Sequence, residues 1–179
     1  MLIEKFIPDS FKVLLQNLID HVNFAWFFNK NSTYEGQDGI FQLVHVIKNE
    51  YGYTSEHFEK IKPLLYFFEM HTGFEITNIY RIKINMMTQR ILTEEQNKLA
   101  VHTDVELTKD DFVTFIYYVN DSDGDTIIYN KDKTEVVERI KPKAGNCAWF
   151  KSNVFHNATP PKDHVNRIVI NCVLQVKNN

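Results

Sequence analysis

The chain has 179 residues and a mass of 21.1 kDa, a length that folds as one domain and buries enough surface to need no disulfide or metal staple. Hydrophobic residues at 44% and charged residues at 24% are those of a soluble globular protein, and six glycines with five prolines exclude a collagen-like or linker-dominated chain. A net charge of −3 leaves no basic footprint for duplex nucleic acid or an anionic membrane, which disfavours both as partners.

The first ten residues, MLIEKFIPDS, put Glu4, Pro8 and Asp9 where a signal peptide needs an unbroken apolar run. Nowhere do eighteen apolar residues follow one another, so a soluble, intracellular, cytoplasmic protein is expected. Asp9 or Ser10 can cap a helix in which Phe11, Leu14, Leu15, Leu18, Ile19, Val22 and then Phe24 or Trp26 recur at three-to-four spacing. It should end before the polar stretch Asn29 to Gly39. A second helix begins near Thr54 and Ser55 and carries Phe58, Ile61, Leu64, Leu65, Phe68 and Met70, with a boundary or kink at Pro63 and Gly73 as the closing residue. The first half is thus expected to be helical and to cover one face of a sheet.

After Gly73 the pattern changes. Ile76 to Met87, Asp111 to Val119, Thr126 to Tyr129, Glu135 to Ile140, Asn146 to Phe150 and Val165 to Val176 are β-branched or aromatic runs separated by short turn-forming stretches. Strands at that spacing predict a mainly β protein with N-terminal helices, a sandwich or jelly roll rather than a parallel α/β sheet. Nothing marks a second domain, so 1–179 is expected to be one unit, with 1–75 mostly helical support and 76–179 the jelly-roll core. Cys147 and Cys172 are too few for a disulfide framework, and no CxxC is present to suggest a zinc ribbon.

Of seven histidines, His21, His45 and His71 fall in helical or loop context with no carboxylate two residues on. His57 and Glu59 would point to different faces of a helix. His102-Thr103-Asp104 differs, because on an extended segment residues i and i+2 share a side and can reach one ion. His156 supplies a third donor 54 residues later, beyond the run ending Trp149-Phe150. His164 competes with it, but on the last strand His164 and Arg167 differ by an odd number and would face opposite sides. Two histidines and one carboxylate with open positions are the facial triad of non-haem Fe(II) oxygenases. The net charge left on Fe(II) favours an anionic chelating co-substrate.

An ordered set of segments accompanies the triad: Arg81-Ile82-Lys83-Ile84-Asn85, His102-Thr103-Asp104, Phe115 to Asn120, Asp123-Gly124-Asp125-Thr126, Lys141 to Gly145 through Trp149-Phe150, His156, and Arg167 to Asn171. On these the chain resembles the 2-oxoglutarate- and Fe(II)-dependent dioxygenases, in particular the prolyl-4-hydroxylase-like branch and its small phage-type members, from about Ile79 to Val176. The resemblance implies a double-stranded β-helix, a jelly roll with iron at one mouth. It implies Fe(II), 2-oxoglutarate and O2 as cofactor and co-substrates, with release of succinate and CO2 and hydroxylation of a peptide side chain or a small-molecule metabolite.

The same resemblance assigns His102, Asp104 and His156 to the metal and Arg167 to the far carboxylate of 2-oxoglutarate, for which a planar, always-charged fork is suited. Tyr118 is chosen over Tyr117 as a second donor, since Thr114, Ile116 and Tyr118 share one face of their strand. Asn85 and Asn171 either point inward to the co-substrate or iron-bound water, or serve a turn and the backbone. Gly124 and Gly145 read as turn positions. Retention of Asp104 argues against a related halogenase, which lacks that carboxylate. Two departures stand out: collagen-type prolyl hydroxylases often carry lysine where this chain has Arg167, and the stretch between Asn85 and His102 lacks the Tyr-x-x-Gly-type pattern common in that branch. A demethylase on the same scaffold and a non-catalytic jelly-roll binding module are the competing readings.

Overall fold

The structure is a computed structural model that describes residues 1–33 and 39–178. In chain order its elements are β1 (Leu2–Ile3), α1 (Asp9–Ile19), β2 (Phe27–Asn29), β3 (Gln42–Asn49), β4 (Gly52–Tyr53), α2 (Phe58–Ile61), α3 (Pro63–Thr72), β5 (Phe74–Thr88), α4 (Glu94–Leu99), β6 (Phe112–Tyr118), β7 (Thr126–Tyr129), β8 (Val136–Ile140), β9 (Cys147–Lys151), β10 (His156–Ala158) and β11 (Asn166–Asn178). The strands form an antiparallel major sheet in the order β1-β9-β6-β11-β5-β3-β2, with β4 beside β3, and a minor sheet β10-β7-β8. Facing each other, the two make a double-stranded β-helix.

Alternation along the strands divides the side chains of the major sheet between two cores. Ile82 and Ile84 of β5, Phe115 of β6 and Ile170, Cys172 and Leu174 of β11 face the helices and pack on Leu15, Ile19, Leu64 and Phe68. The rings of Phe68 and Phe115 stack at 5.1 Å, a contact worth about 0.5–1.5 kcal/mol beyond the area it buries. Ile116, Tyr118, Ala148, Phe150 and Val169 face the other way, onto Ile128 and Ile140 of the minor sheet. Every residue of β6 is therefore buried, as expected of a strand covered on both sides.

The strands expected after Gly73 are present within a few residues, and Gly73 ends α3 in the left-handed conformation at φ 75°. Pro63 opens α3 rather than kinking one long helix, consistent with its missing N–H being harmless in the first turn. The first half departs from expectation. Helix α1 stops at Ile19, and Phe24 and Trp26 reach the same core from the turn and irregular chain that follow. Residues 1–75 are not mostly helical: among the described residues they hold four complete strands and the first two residues of β5, and β3 is an interior strand between β5 and β2. His45 lies in β3, not in a helix or loop. It is buried because Ala25 O and Ser55 Oγ satisfy both ring nitrogens, at 2.7 and 2.8 Å. Of the polar stretch Asn29 to Gly39, residues 34–38 lie outside those described. Among the described residues no helix is long and apolar enough to cross a membrane.

Candidate metal and oxo-acid site

His102 and His156 are brought together by backbone pairing. They form an isolated antiparallel bridge, His102 N donating to His156 O at 3.0 Å and His156 N to His102 O at 2.9 Å. Asp104 follows two residues on, tied by its N–H to Ser152 O at 2.9 Å. One donor atom from each of His102, Asp104 and His156 lies within 4.8 Å of the others. The imidazoles are also held in one tautomer. His102 Nδ1 donates to Ala100 O and His156 Nδ1 to Val154 O, each at 2.9 Å, so both Nε2 atoms are left as acceptors.

Asp104 is fixed from behind. Arg81 ion-pairs with its Oδ1, and Thr114 Oγ1 donates to Oδ2 at 2.7 Å while sharing a 2.9 Å hydrogen bond with Ser152 Oγ. Oδ2 also stands 3.5 Å from His156 Nε2. Burial alone would raise the Asp104 carboxyl, but Arg81, His156 and His102 outweigh it and hold it well below the usual carboxylate range. Burial pushes His102 down to about 4, with the neighbouring His156 adding to the shift. A neutral imidazole beside an ionised carboxylate is the protonation state that a divalent ion requires of its ligands.

At the other end of the cavity lies Arg167, 2% exposed. Its Nε donates to Gly124 O at 2.8 Å and its Nη2 to Thr126 Oγ1 at 2.7 Å. No carboxylate among the described residues lies within 4.0 Å of it, and burial lowers its pKa. A buried, unpaired guanidinium is unfavourable unless an anion joins it. Tyr118, raised to about 12 by burial, stands behind: its hydroxyl donates to Thr126 Oγ1 at 2.9 Å. Thr126 Oγ1 thus accepts from both Tyr118 and Arg167, leaving the threonine's own O–H to donate into the cavity it lines.

The spacing suits a short diacid. On the minor sheet His156 pairs with Ile128, and Ala158 with Thr126, so the metal rung and the anchor rung are one same-face step apart, about 7 Å. Four carbon–carbon bonds of about 1.5 Å span on the order of 5 Å. Asn85 and Asn171 both line the cavity, and the Oδ1 of each is buried without a partner. The three-donor cluster fits a metal, and the donors of Arg167 and Thr126 fit an anionic oxo acid.

The family model described as 2OG-Fe(II) oxygenase superfamily matches residues 82–175, more than half of the chain. The chain belongs to the 2OG-Fe(II) oxygenase superfamily. As such an oxygenase it is an Fe(II)-, 2-oxoglutarate- and O2-dependent enzyme. No curated protein matches it in sequence. Solved structures share its fold at low identity. A prolyl hydroxylase from Trichoplax adhaerens, in complex with a hypoxia inducible factor peptide fragment, is 18% identical with a TM-score of 0.67 over 98% of this chain and 82% of its own. A 2OG-Fe(II) oxygenase family oxidoreductase from Burkholderia pseudomallei is 13% identical with a TM-score of 0.69, covering 97% and 84%. A viral collagen prolyl hydroxylase from Paramecium bursaria Chlorella virus-1 is 15% identical with a TM-score of 0.57, covering 99% and 90%.

In this oxygenase the residues singled out in sequence are placed as follows. His102, Asp104, His156, Arg167, Asn85 and Asn171 line one cavity. Tyr118 reaches it through Thr126. His164 lies elsewhere, its Nδ1 2.9 Å from Asp123 Oδ1 on the surface. Gly124 does more than turn the chain, because an added Cβ would meet Thr159 O and stand 3.0 Å from Arg167 Cδ. Arg81, Lys83 and Thr126 stand in segments named from the sequence but are given no role there, and Ser152 is not named. The first two had a signal: strand alternation from Asn85 puts Lys83 and Arg81 on the same face.

Proposed function

We propose that this oxygenase hydroxylates a peptide side chain, in the manner of a prolyl hydroxylase, or a small metabolite, with His102, Asp104 and His156 holding Fe(II) and Arg167 receiving the far carboxylate of 2-oxoglutarate. The observation that carries the reading is the pairing, in one cavity, of a three-donor cluster with a buried arginine that lacks an anionic partner among the described residues. When bound, the iron supplies activation of O2 coupled to decarboxylation of the oxo acid. The protein orients and shields. Arg81 and Thr114 hold the Asp104 carboxylate in place, the carbonyls of Ala100 and Val154 fix the imidazole tautomers, and Thr126 with Arg167 offers donors to the distal carboxylate. Peptide substrates are supported by the Trichoplax relative, which shares the fold and is seen with a peptide.

Anaerobic titration of the metal-free protein with Fe(II) and 2-oxoglutarate, followed by the visible charge-transfer band of the chelate, tests the assignment. The band is expected in the wild type and absent in His102→Ala. An equal band in both, or none in a wild type of verified metal content, refutes it. Proline-containing peptides and small metabolites, each offered to the loaded enzyme in O2, then separate the two substrate classes by succinate release.

A further inference from the structure

Among the described residues that line the cavity, three side chains are cationic, Arg81, Lys83 and Arg167, against one carboxylate, Asp104. Arg81 is matched by its ion pair with Asp104. Arg167 lies at the distal end, over Gly124 and Thr126. Lys83 is left: no carboxylate among the described residues lies within 4.0 Å of its ammonium. An ammonium facing a desolvated cavity without a partner is unfavourable, and an anionic occupant relieves it.

Register locates Lys83. On β5 it lies between Arg81 and Asn85 on the cavity face, and across β11 it pairs with Asn171. Arg167 pairs with Met87, two same-face steps further along the same two strands. Lys83 therefore stands toward Arg81 and the triad, at the opposite end from Arg167. It is flanked by two amides, those of Asn85 and Asn171, whose NH2 groups can donate to the same anion. 2-Oxoglutarate presents a carboxylate at each end, and among the described residues the cavity has at each end one cation without a carboxylate partner.

We propose that Lys83 binds the carboxylate adjacent to the keto carbon of 2-oxoglutarate, leaving the far carboxylate to Arg167. This rests on the oxygenase reading above and adds a residue that selects for the oxo-acid end of the molecule. Lysine suits a position where a metal shares the anion, since a point charge with three rotatable donors needs no fixed bidentate geometry.

The test compares 2-oxoglutarate with 2-oxovalerate, which has the same chain length and the same keto acid end but no far carboxylate. Affinities for the anaerobic Fe(II) protein are measured by the visible band, with 2-oxovalerate also titrated as a competitor of 2-oxoglutarate, in wild type, Lys83→Met and Arg167→Met. Lys83→Met is expected to weaken both ligands by the same factor, about 10- to 100-fold for a charged hydrogen bond. Its affinity for Fe(II) alone should stay at the wild-type value. Arg167→Met is expected to weaken 2-oxoglutarate and leave 2-oxovalerate unchanged. Affinities within threefold of wild type in Lys83→Met overturn the proposal, as does a loss confined to 2-oxoglutarate, which would put Lys83 on the far carboxylate. A wild type that binds neither acid overturns the oxygenase reading itself, and this proposal with it.

Discussion

Replacing Arg167 with methionine separates a binding role from a structural one, because the two predict opposite signs for stability. The guanidinium is buried and has no ion-pair partner among the described residues, so its removal relieves an uncompensated desolvation of several kcal/mol. Against this, Gly124 O loses its donor, a penalty of about 1–3 kcal/mol, while Thr126 Oγ1 keeps the Tyr118 hydroxyl. Methionine fills a similar volume, so the protein free of co-substrate should be as stable as wild type or slightly more so. With co-substrate the sign reverses. Truncating one partner of a buried charge pair costs about 2–5 kcal/mol, which weakens 2-oxoglutarate roughly 30- to 4,000-fold. Urea unfolding of the metal-free protein reads the first quantity, and anaerobic titration of the Fe(II) form reads the second. The reasoning is refuted if affinity stays within threefold of wild type. It is equally refuted if Arg167→Met loses more than about 3 kcal/mol of stability before any ligand is added, the signature of a broken internal pair.

Two further outcomes are expected. Arg81→Met removes the ion pair that orients Asp104, and support of this kind is typically worth 10- to 100-fold in metal affinity; calorimetric titration with Fe(II) or Mn(II) should show that loss, and an unchanged affinity would mean Thr114 suffices. The metal-free protein should lose stability on acidification through His102. Its folded pKa of about 4 lies below the usual 6.5, so between those values the unfolded chain binds the extra proton and stability falls as pH falls. The loss is on the order of 3 kcal/mol at about 1.4 kcal/mol per pH step and is complete near pH 4. Urea unfolding of wild type and His102→Gln between pH 7 and 4 isolates it, and parallel curves would contradict it.

What could be read in the sequence, and what could not, follows from where each signal resides. The β5–β11 framework was legible because β-branched and aromatic runs are separated by short turns, and alternation alone put Thr114, Ile116 and Tyr118 on one face. β3 was not legible. Covered on one face and lining the cavity on the other, its run Leu43-Val44-His45-Val46-Ile47 lacks a clean two-residue alternation, and the polar His45 at its centre is satisfied only by distant groups. Helix α4 has a capping box between Thr93 and Gln96, a local signal written in the sequence as Thr-Glu-Glu-Gln. In the site, residue types and parity brought out His102, Asp104, His156 and Arg167. The relay from Tyr118 through Thr126 depends on two sheets meeting, and Lys83 stands out only once its lack of a carboxylate partner among the described residues is seen in three dimensions.

The bridge between His102 and His156 gives the metal a mechanical meaning. It joins points 54 residues apart, on the loop before β6 and on β10, with only two backbone hydrogen bonds of its own. An ion held by both histidines closes that loop as a cross-link would, and its grip grows with the entropy of the loop it closes. The minor sheet, which includes β10, is thereby riveted to the segment that follows α4. Chelation should loosen this seam first, registering as faster amide exchange at residues 102 and 156 while the strands that pack against the helices stay protected.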